Sequence, residues 1–308
     1  MCTAVSYLTK QHYFGRNLDL ERSYGEGVVI TPRQYPFTFR CGKICKQHHA
    51  LIGMAAVVDG YPLYFEATNE KGLSMAGLNF PGNAHYQPYD PGKENVAPFE
   101  LIPYLLGAHG SVDELVKHLQ TINIVHWNFR EDLPVSPLHW LISDRERSVV
   151  LECTKDGMKL FENPHGVLTN NPTFDYHLMN VQNYRGLHEG ALTDRDYSLG
   201  MGAIGLPGDF SSASRFVRAV FVREKSVCDG SEKQSVNQFF HILRSVAMPN
   251  GCVLTPGGEY EYTRYSCCCN TDTQVYYYTT YFNSSIRSVD LHKVDLQSEN
   301  LSVTPIEA

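Results

Sequence analysis

Short runs of apolar and β-branched residues, separated by polar or glycine-containing turns, fill the first part of the chain at residues 3–8, 13–20, 27–31, 51–58, 63–67 and 73–78. Asp59-Gly60 and Asn69-Glu70-Lys71-Gly72 separate neighbouring runs and predict consecutive antiparallel hairpins. The period then changes. Val112, Leu115, Val116, Leu119 and Ile122 recur at helical spacing behind a capping-box pair, Ser111 and Glu114. Ser235 and Gln238 repeat that pattern before Val236, Phe239, Phe240, Leu243 and Val246, and a further helix is expected from Ser212 through Arg215 to Glu224. Residues 260–269 and 275–282 return to strand character around a polar turn at 270–273. Strands, helices and strands in that order predict an α+β layered fold rather than alternating βα units. No repeat or low-complexity linker divides the chain, so one domain over 1–308 is expected.

Composition narrows the function class. The 308 residues are 43% hydrophobic, enough for a large core, and only 19% charged, which excludes a disordered or coiled-coil chain. The net charge of −7 and the absence of a basic run argue against nucleic acid as a partner. No stretch approaches the roughly 18 apolar residues of a membrane span, and the start of the chain shows no basic and apolar secretion signal, so a cytoplasmic location is expected. Nine cysteines, an odd number, then read as reduced thiols.

Cys2 carries the most specific chemistry. A small second residue favours removal of Met1, which would place a thiol and a free α-amine on one residue. An α-amine with a pKa of about 7.7–8.0 is partly neutral near pH 7 and can serve as general base, and a thiol can form a thioester. Taken alone, a cysteine at position 2 is more often an ordinary buried residue, since reactivity depends on its surroundings. Arg16 and Asp19 follow on the next run. A hairpin would bring them to Cys2, Arg16 to favour the thiolate and Asp19 to hold the amine. Residues three apart face opposite sides of an ideal strand, so a bend or bulge between them is expected; the alternative is an exposed ion pair.

Met-Cys-Thr, FGRNLDLE, NEKGLSMAGLNFPG, GVLTNNPTFDYH and GLPGDFSSASRF, in this order over roughly residues 2 to 290, resemble the choloylglycine hydrolase family, the bile salt hydrolases and penicillin V acylases of the N-terminal-nucleophile superfamily. The resemblance implies a four-layer αββα sandwich with Cys2 as nucleophile. It implies that Arg16 and Asp19 tune the thiol and orient the amine, that Asn79 and Asn170 serve the oxyanion and the nucleophile region, and that Arg215 is a second active-site arginine. Acylases preferring penicillin V carry tyrosine at the position of Asn79, whereas bile salt hydrolases carry asparagine. The expected substrates are therefore glycine- or taurine-conjugated bile acids, with amine acyl transfer as a side activity and no metal or organic cofactor. Met54, Phe65 and Phe129 are expected to line an apolar steroid pocket, although each is as well explained as core. A homo-oligomer, up to the family's tetramer, is expected, but the connection from Tyr184 to Gly200 is shorter than the family's assembly arm. The Cys267–Cys269 triplet is a further departure.

Other readings are weaker. Outside the family context, Asn79 and Asn170 read as turn residues and Arg215 as a helix-surface charge. Gly200-Met-Gly202-Ala-Ile-Gly205 fits a dinucleotide fingerprint by letter, but Pro207 prevents the helix such a site requires. Three adjacent cysteines on a strand alternate between faces and do not converge on one metal ion. A penicillin V acylase is the nearest rival; a non-catalytic apolar-ligand binder and a redox-sensing thiol at Cys2 are rivals from other classes.

Overall fold

The first two predicted strands form a hairpin, β1 (Cys2–Leu8) and β2 (His12–Leu20), with Cys2 opposite Leu18 and Ala4 opposite Arg16. The structure, a computed structural model, describes residues 1–191 and 198–306. β2 also pairs with Tyr262–Asn270, so the two ends of the chain meet at the centre of a six-stranded sheet that continues through Val275–Thr280 and Arg287–Asp290 on one side of the hairpin and Val167–Leu168 on the other. The backbones of β2 and Tyr262–Asn270 approach so closely that a Cβ at Gly15 would lie 1.9 Å from the carbonyl oxygen of Cys267. Glycine is thus required at that position of the FGRN segment.

A second sheet has eight strands. β3 (Gly27–Thr31), Leu51–Val58, Tyr61–Asn69 and Ser74–Asn79 follow as predicted, and Leu138–Ser143, Ser148–Thr154 and Gly157–Glu162 extend it to one edge. Ser302–Pro305 closes the other edge against β3. Among the described residues five α-helices complete the outer layers: α1 (Leu101–Ala108), α2 (Val112–Leu119), α3 (Phe174–Val181), α4 (Ser212–Lys225) and α5 (Glu232–Arg244). α1 packs on the eight-stranded sheet, and α4 and α5 on the six-stranded one, giving the αββα order. One core cluster joins both sheets to α4 and α5 through Ala4, Phe14, Ile52, Leu141, Phe216 and Phe239. The other joins the eight-stranded sheet to α1 and α2.

Helix starts follow local chemistry. Ser111 accepts from the Glu114 amide, as the capping pair predicts, but Glu114 reaches back to Gly110 rather than to Ser111. The predicted cap of α5 lies a turn too late: Ser231 accepts from the Gln234 amide, and Ser235 is buried within the helix. α1 has no counterpart in the pattern reading, because it is buried all round and contains Pro103 and Gly107, which leave no amphipathic stripe. Met201–Ala203 forms a single 3₁₀ turn, and among the described residues no strand leads into the letter match to a dinucleotide motif and no α-helix starts before Ser212. Residues 192–197 of the Tyr184–Gly200 connection lie outside the described residues.

Candidate active site around Cys2

Four elements bring the predicted polar residues to the start of β1. The Cys2 amide nitrogen donates to Asn170 Oδ1 at 2.8 Å. The same oxygen accepts from Arg215 Nη2 at 2.7 Å, while Arg215 Nη1 donates to the Cys2 carbonyl at 2.5 Å and to Thr3 Oγ1 at 2.7 Å. Nε of Arg215 donates to the Phe210 carbonyl at 3.0 Å, so every nitrogen of this guanidinium is engaged. Arg215 sits in the first turn of α4 and is fully buried, which corrects the helix-surface reading; burial lowers its pKa. Asn170 follows the short strand Val167–Leu168. Its backbone amide donates to Ser212 Oγ at 2.8 Å and its carbonyl faces His177 Nε2 at 2.9 Å. Since a carbonyl only accepts, His177 carries its proton on Nε2, and burial lowers its pKa to about 4.

Arg16 and Asp19 lie on opposite faces of the six-stranded sheet. Cys2 and Arg16 share the face of the six-stranded sheet that meets the second sheet, where Arg16 Nη1 donates to the carbonyls of Gly77 at 2.6 Å and Phe65 at 3.0 Å. Arg16 is fully buried, and its Nη2 has no hydrogen-bond partner among the described residues. Asp19 lies on the helix side. Its Oδ1 accepts from Thr263 Oγ1 at 2.6 Å, and its Oδ2 is buried without a partner among the described residues. The expected bulge is present, but in the partner strand: Thr263 opposes Asp19 and Tyr265 opposes Leu18, leaving Arg264 as the extra residue. β2 need not bend, because the backbone nitrogen of Cys2 lies on the strand axis, within reach of both faces.

Met1 extends β1 by one residue. Its carbonyl accepts from the Asp19 amide at 2.9 Å, and its ammonium donates to the Asp19 carbonyl at 2.6 Å and pairs with Glu261. Burial lowers the pKa of this amine, with Asp19, Arg215 and Arg16 acting on it electrostatically. With Met1 in place Cys2 is only 2% exposed. Asn170 Nδ2 donates to the Asn79 carbonyl at 2.7 Å, which places Asn79 at the end of its strand beside the Cys2 group. The Asn79 side chain is partly exposed and makes no hydrogen bond among the described residues. It is therefore free to donate to a developing negative charge, while Asn170 holds Cys2, Arg215 and the Asn79 backbone together.

The three apolar predictions divide. Phe65 lies next to the site, since its carbonyl holds Arg16, and its ring lies 6.5 Å from that of Tyr24. Tyr24, 41% exposed in the segment between β2 and β3, is an aromatic neighbour of Phe65 that the pattern did not single out. Met54 is completely buried in the core cluster that joins the two sheets, because its strand is sandwiched on that face. Phe129 packs edge-on to Phe99 with centroids 5.2 Å apart and against Tyr61, an aromatic group separate from Phe65. A surface cavity of about 660 Å³ between His85, Lys93, Asn123 and Met158 contains none of the polar residues gathered around Cys2. Among the described residues no group of three His, Cys, Asp or Glu side chains is placed to hold a metal ion, and no helix is long and apolar enough to cross a membrane.

A family model described as linear amide C–N hydrolases, choloylglycine hydrolase family, matches residues 2–304. The chain is 52% identical over 316 residues to a bile salt hydrolase/transferase of Lactiplantibacillus plantarum, covering 100% of this chain and 98% of that protein. It is 41% identical to a conjugated bile acid hydrolase of Lactobacillus gasseri, covering 90% and 92%. Among solved structures it resembles the C2A mutant of the conjugated bile acid hydrolase from Clostridium perfringens, with a TM-score of 0.92 at 36% identity over 100% of this chain and 97% of that one.

Proposed function

The chain belongs to the choloylglycine hydrolase family of linear amide C–N hydrolases, and from that premise we propose that it cleaves the amide bond of glycine- or taurine-conjugated bile acids through a thioester on Cys2. The observation that carries the mechanism is the shared acceptor Asn170 Oδ1, which binds the Cys2 nitrogen and Arg215 at once. Loss of Met1 turns that nitrogen from an amide into a free amine and opens the sealed thiol. Asn170 Oδ1 and the vacant Oδ2 of Asp19 then hold the amine.

The amine takes the thiol proton, the sulfur attacks the amide carbonyl, and the carbonyl oxygen becomes an oxyanion facing the Asn79 amide and the remaining hydrogen of Asn170 Nδ2. Collapse expels the amino acid, which leaves with the proton held by the amine. Water, deprotonated by the same amine, attacks the thioester and releases the bile acid, regenerating the thiol. An amine in place of water gives a new conjugate, in keeping with the name of the Lactiplantibacillus plantarum relative.

The rings of Tyr24 and Phe65, 6.5 Å apart, offer apolar surface beside the residue that holds Arg16, which supports a steroid substrate. The reading takes residues 1–308 as one hydrolase domain with its mature start at Cys2, acting in the cytoplasm as a homo-oligomer of up to four copies. Hydrolysis of glycocholate, taurocholate and penicillin V, measured side by side on reduced protein with Cys2→Ala as control, tests it. Faster bile salt cleavage that requires Cys2 supports the assignment. Faster penicillin V cleavage keeps the mechanism and overturns the substrate.

A further inference from the structure

Glu66 is buried between the two sheets, and its carboxyl oxygens face two hydroxyls, a thiol, a backbone amide and a guanidinium. Oε1 accepts from Tyr276 Oη at 2.6 Å, from the Met54 amide at 3.1 Å and from Cys267 Sγ at 3.5 Å. Oε2 accepts from Tyr265 Oη at 2.7 Å and lies 3.9 Å from Arg16 Nε. Burial raises the Glu66 pKa, while Arg16, the two tyrosines and the Met54 amide oppose that shift by stabilising the carboxylate; the amide and the guanidinium can only donate, which matches the carboxylate form. Such a pair, with both partners almost without solvent, interacts far more strongly than a surface pair. Arg16 is pinned on its other side by the carbonyls of Phe65 and Gly77, and its Nη2 alone has no partner among the described residues.

We infer that Glu66 is a positioning residue for the thiolate: as the counter-ion of Arg16 it fixes the guanidinium with Nη2 free and tempers the positive charge that Cys2 experiences. The inference rests on Cys2 as nucleophile and adds a group not touched by substrate. The charged and titratable groups around this centre are the α-amine, Asp19 and Arg16 on the first hairpin, Arg215 on α4, Glu66 on Tyr61–Asn69, Glu261, Tyr265 and Cys267 along the last long strand with its leading residue, and Tyr276 beside it. Glu66 is the carboxylate in direct ion pairing with Arg16. Cys267 is two strands from Cys2 and offset along them, so it is not a disulfide partner for the nucleophile.

The test is the pH dependence of iodoacetamide alkylation at Cys2, read by mass spectrometry of the N-terminal peptide in the full chain, for wild type, Glu66→Gln and Glu66→Asp. Glu66→Gln keeps an acceptor for the tyrosines and removes the charge. Its alkylation midpoint is expected to fall by roughly 0.5–1 pH unit. Glu66→Asp withdraws the carboxylate by one methylene and is expected to move the midpoint in the same direction by less, so it decides the question if Glu66→Gln fails to fold by circular dichroism. An unchanged midpoint in the folded variant overturns the inference. If alkylation of Cys2 leaves wild-type turnover intact, the nucleophile reading itself has failed, a result separate from any shift in the variants.

Discussion

The backbone nitrogen of Cys2 donates to the side-chain oxygen of Asn170 at 2.8 Å, although 168 residues separate the two in sequence. That bond needs β1 to pair with Val167–Leu168 on one side and β2 on the other, so the central sheet builds the site directly. Arg215 closes the arrangement from the helical layer by binding the same oxygen.

Asp19 combines a buried carboxylate with a vacant oxygen, a costly arrangement unless the mature amine fills it. Asp19→Asn is expected to lower kcat about 100-fold while leaving the melting temperature unchanged or higher, because a buried charge is removed. Steady-state kinetics and thermal denaturation of the same preparation check both halves.

The Asn79 side chain donates to nothing among the described residues, so its removal leaves no orphaned partner there. Asn79→Ala is expected to reduce kcat by about 10²–10³-fold with urea stability within about 0.5 kcal/mol of wild type. An equal loss of stability and activity would make Asn79 a structural residue instead.

Arg215→Lys cannot reproduce a fork that reaches the Cys2 and Phe210 carbonyls, Thr3 Oγ1 and Asn170 Oδ1 together. The expected cost is about 2–4 kcal/mol in urea denaturation, with activity lost as Asn170 is released.

His177 is held neutral, with its pKa lowered to about 4 against an ordinary value of 6.5. Below pH 6.5 the unfolded chain binds a proton that the folded chain refuses, so this group's contribution is full above 6.5 and declines as pH falls towards 4. His12, also lowered to about 4 by burial, adds to the same window. Urea midpoints are expected to drop steadily from pH 7 to 4.5, and His177→Gln is expected to flatten that slope by about half.

Much of this architecture was legible in the sequence because the strands carry strong local patterns. Gly27–Thr31 and Leu51–Val58 appear where the pattern puts them. The cysteine triplet alternates as expected, with Cys267 towards Glu66 and Cys268 towards the helix side, where Glu232 lies. Positions that depend on long-range packing were not legible. Leu101–Ala108 is helical because its whole circumference is covered, and Met54 is core because a second sheet lies over it. Glu66, in YFEATNE, has no local feature that distinguishes it from a surface acid. Only the meeting of the two sheets brings Tyr265, Tyr276 and Arg16 around it.

Trapping the covalent intermediate tests the nucleophile most directly. Reduced protein is mixed with glycocholate, quenched in acid within the first turnovers, and its intact mass and N-terminal peptide are measured. The expected result is a chain lacking Met1 and carrying one cholyl group on Cys2, absent from Cys2→Ala. Turnover by a chain that retains Met1, or a cholyl group on any residue other than Cys2, would contradict it.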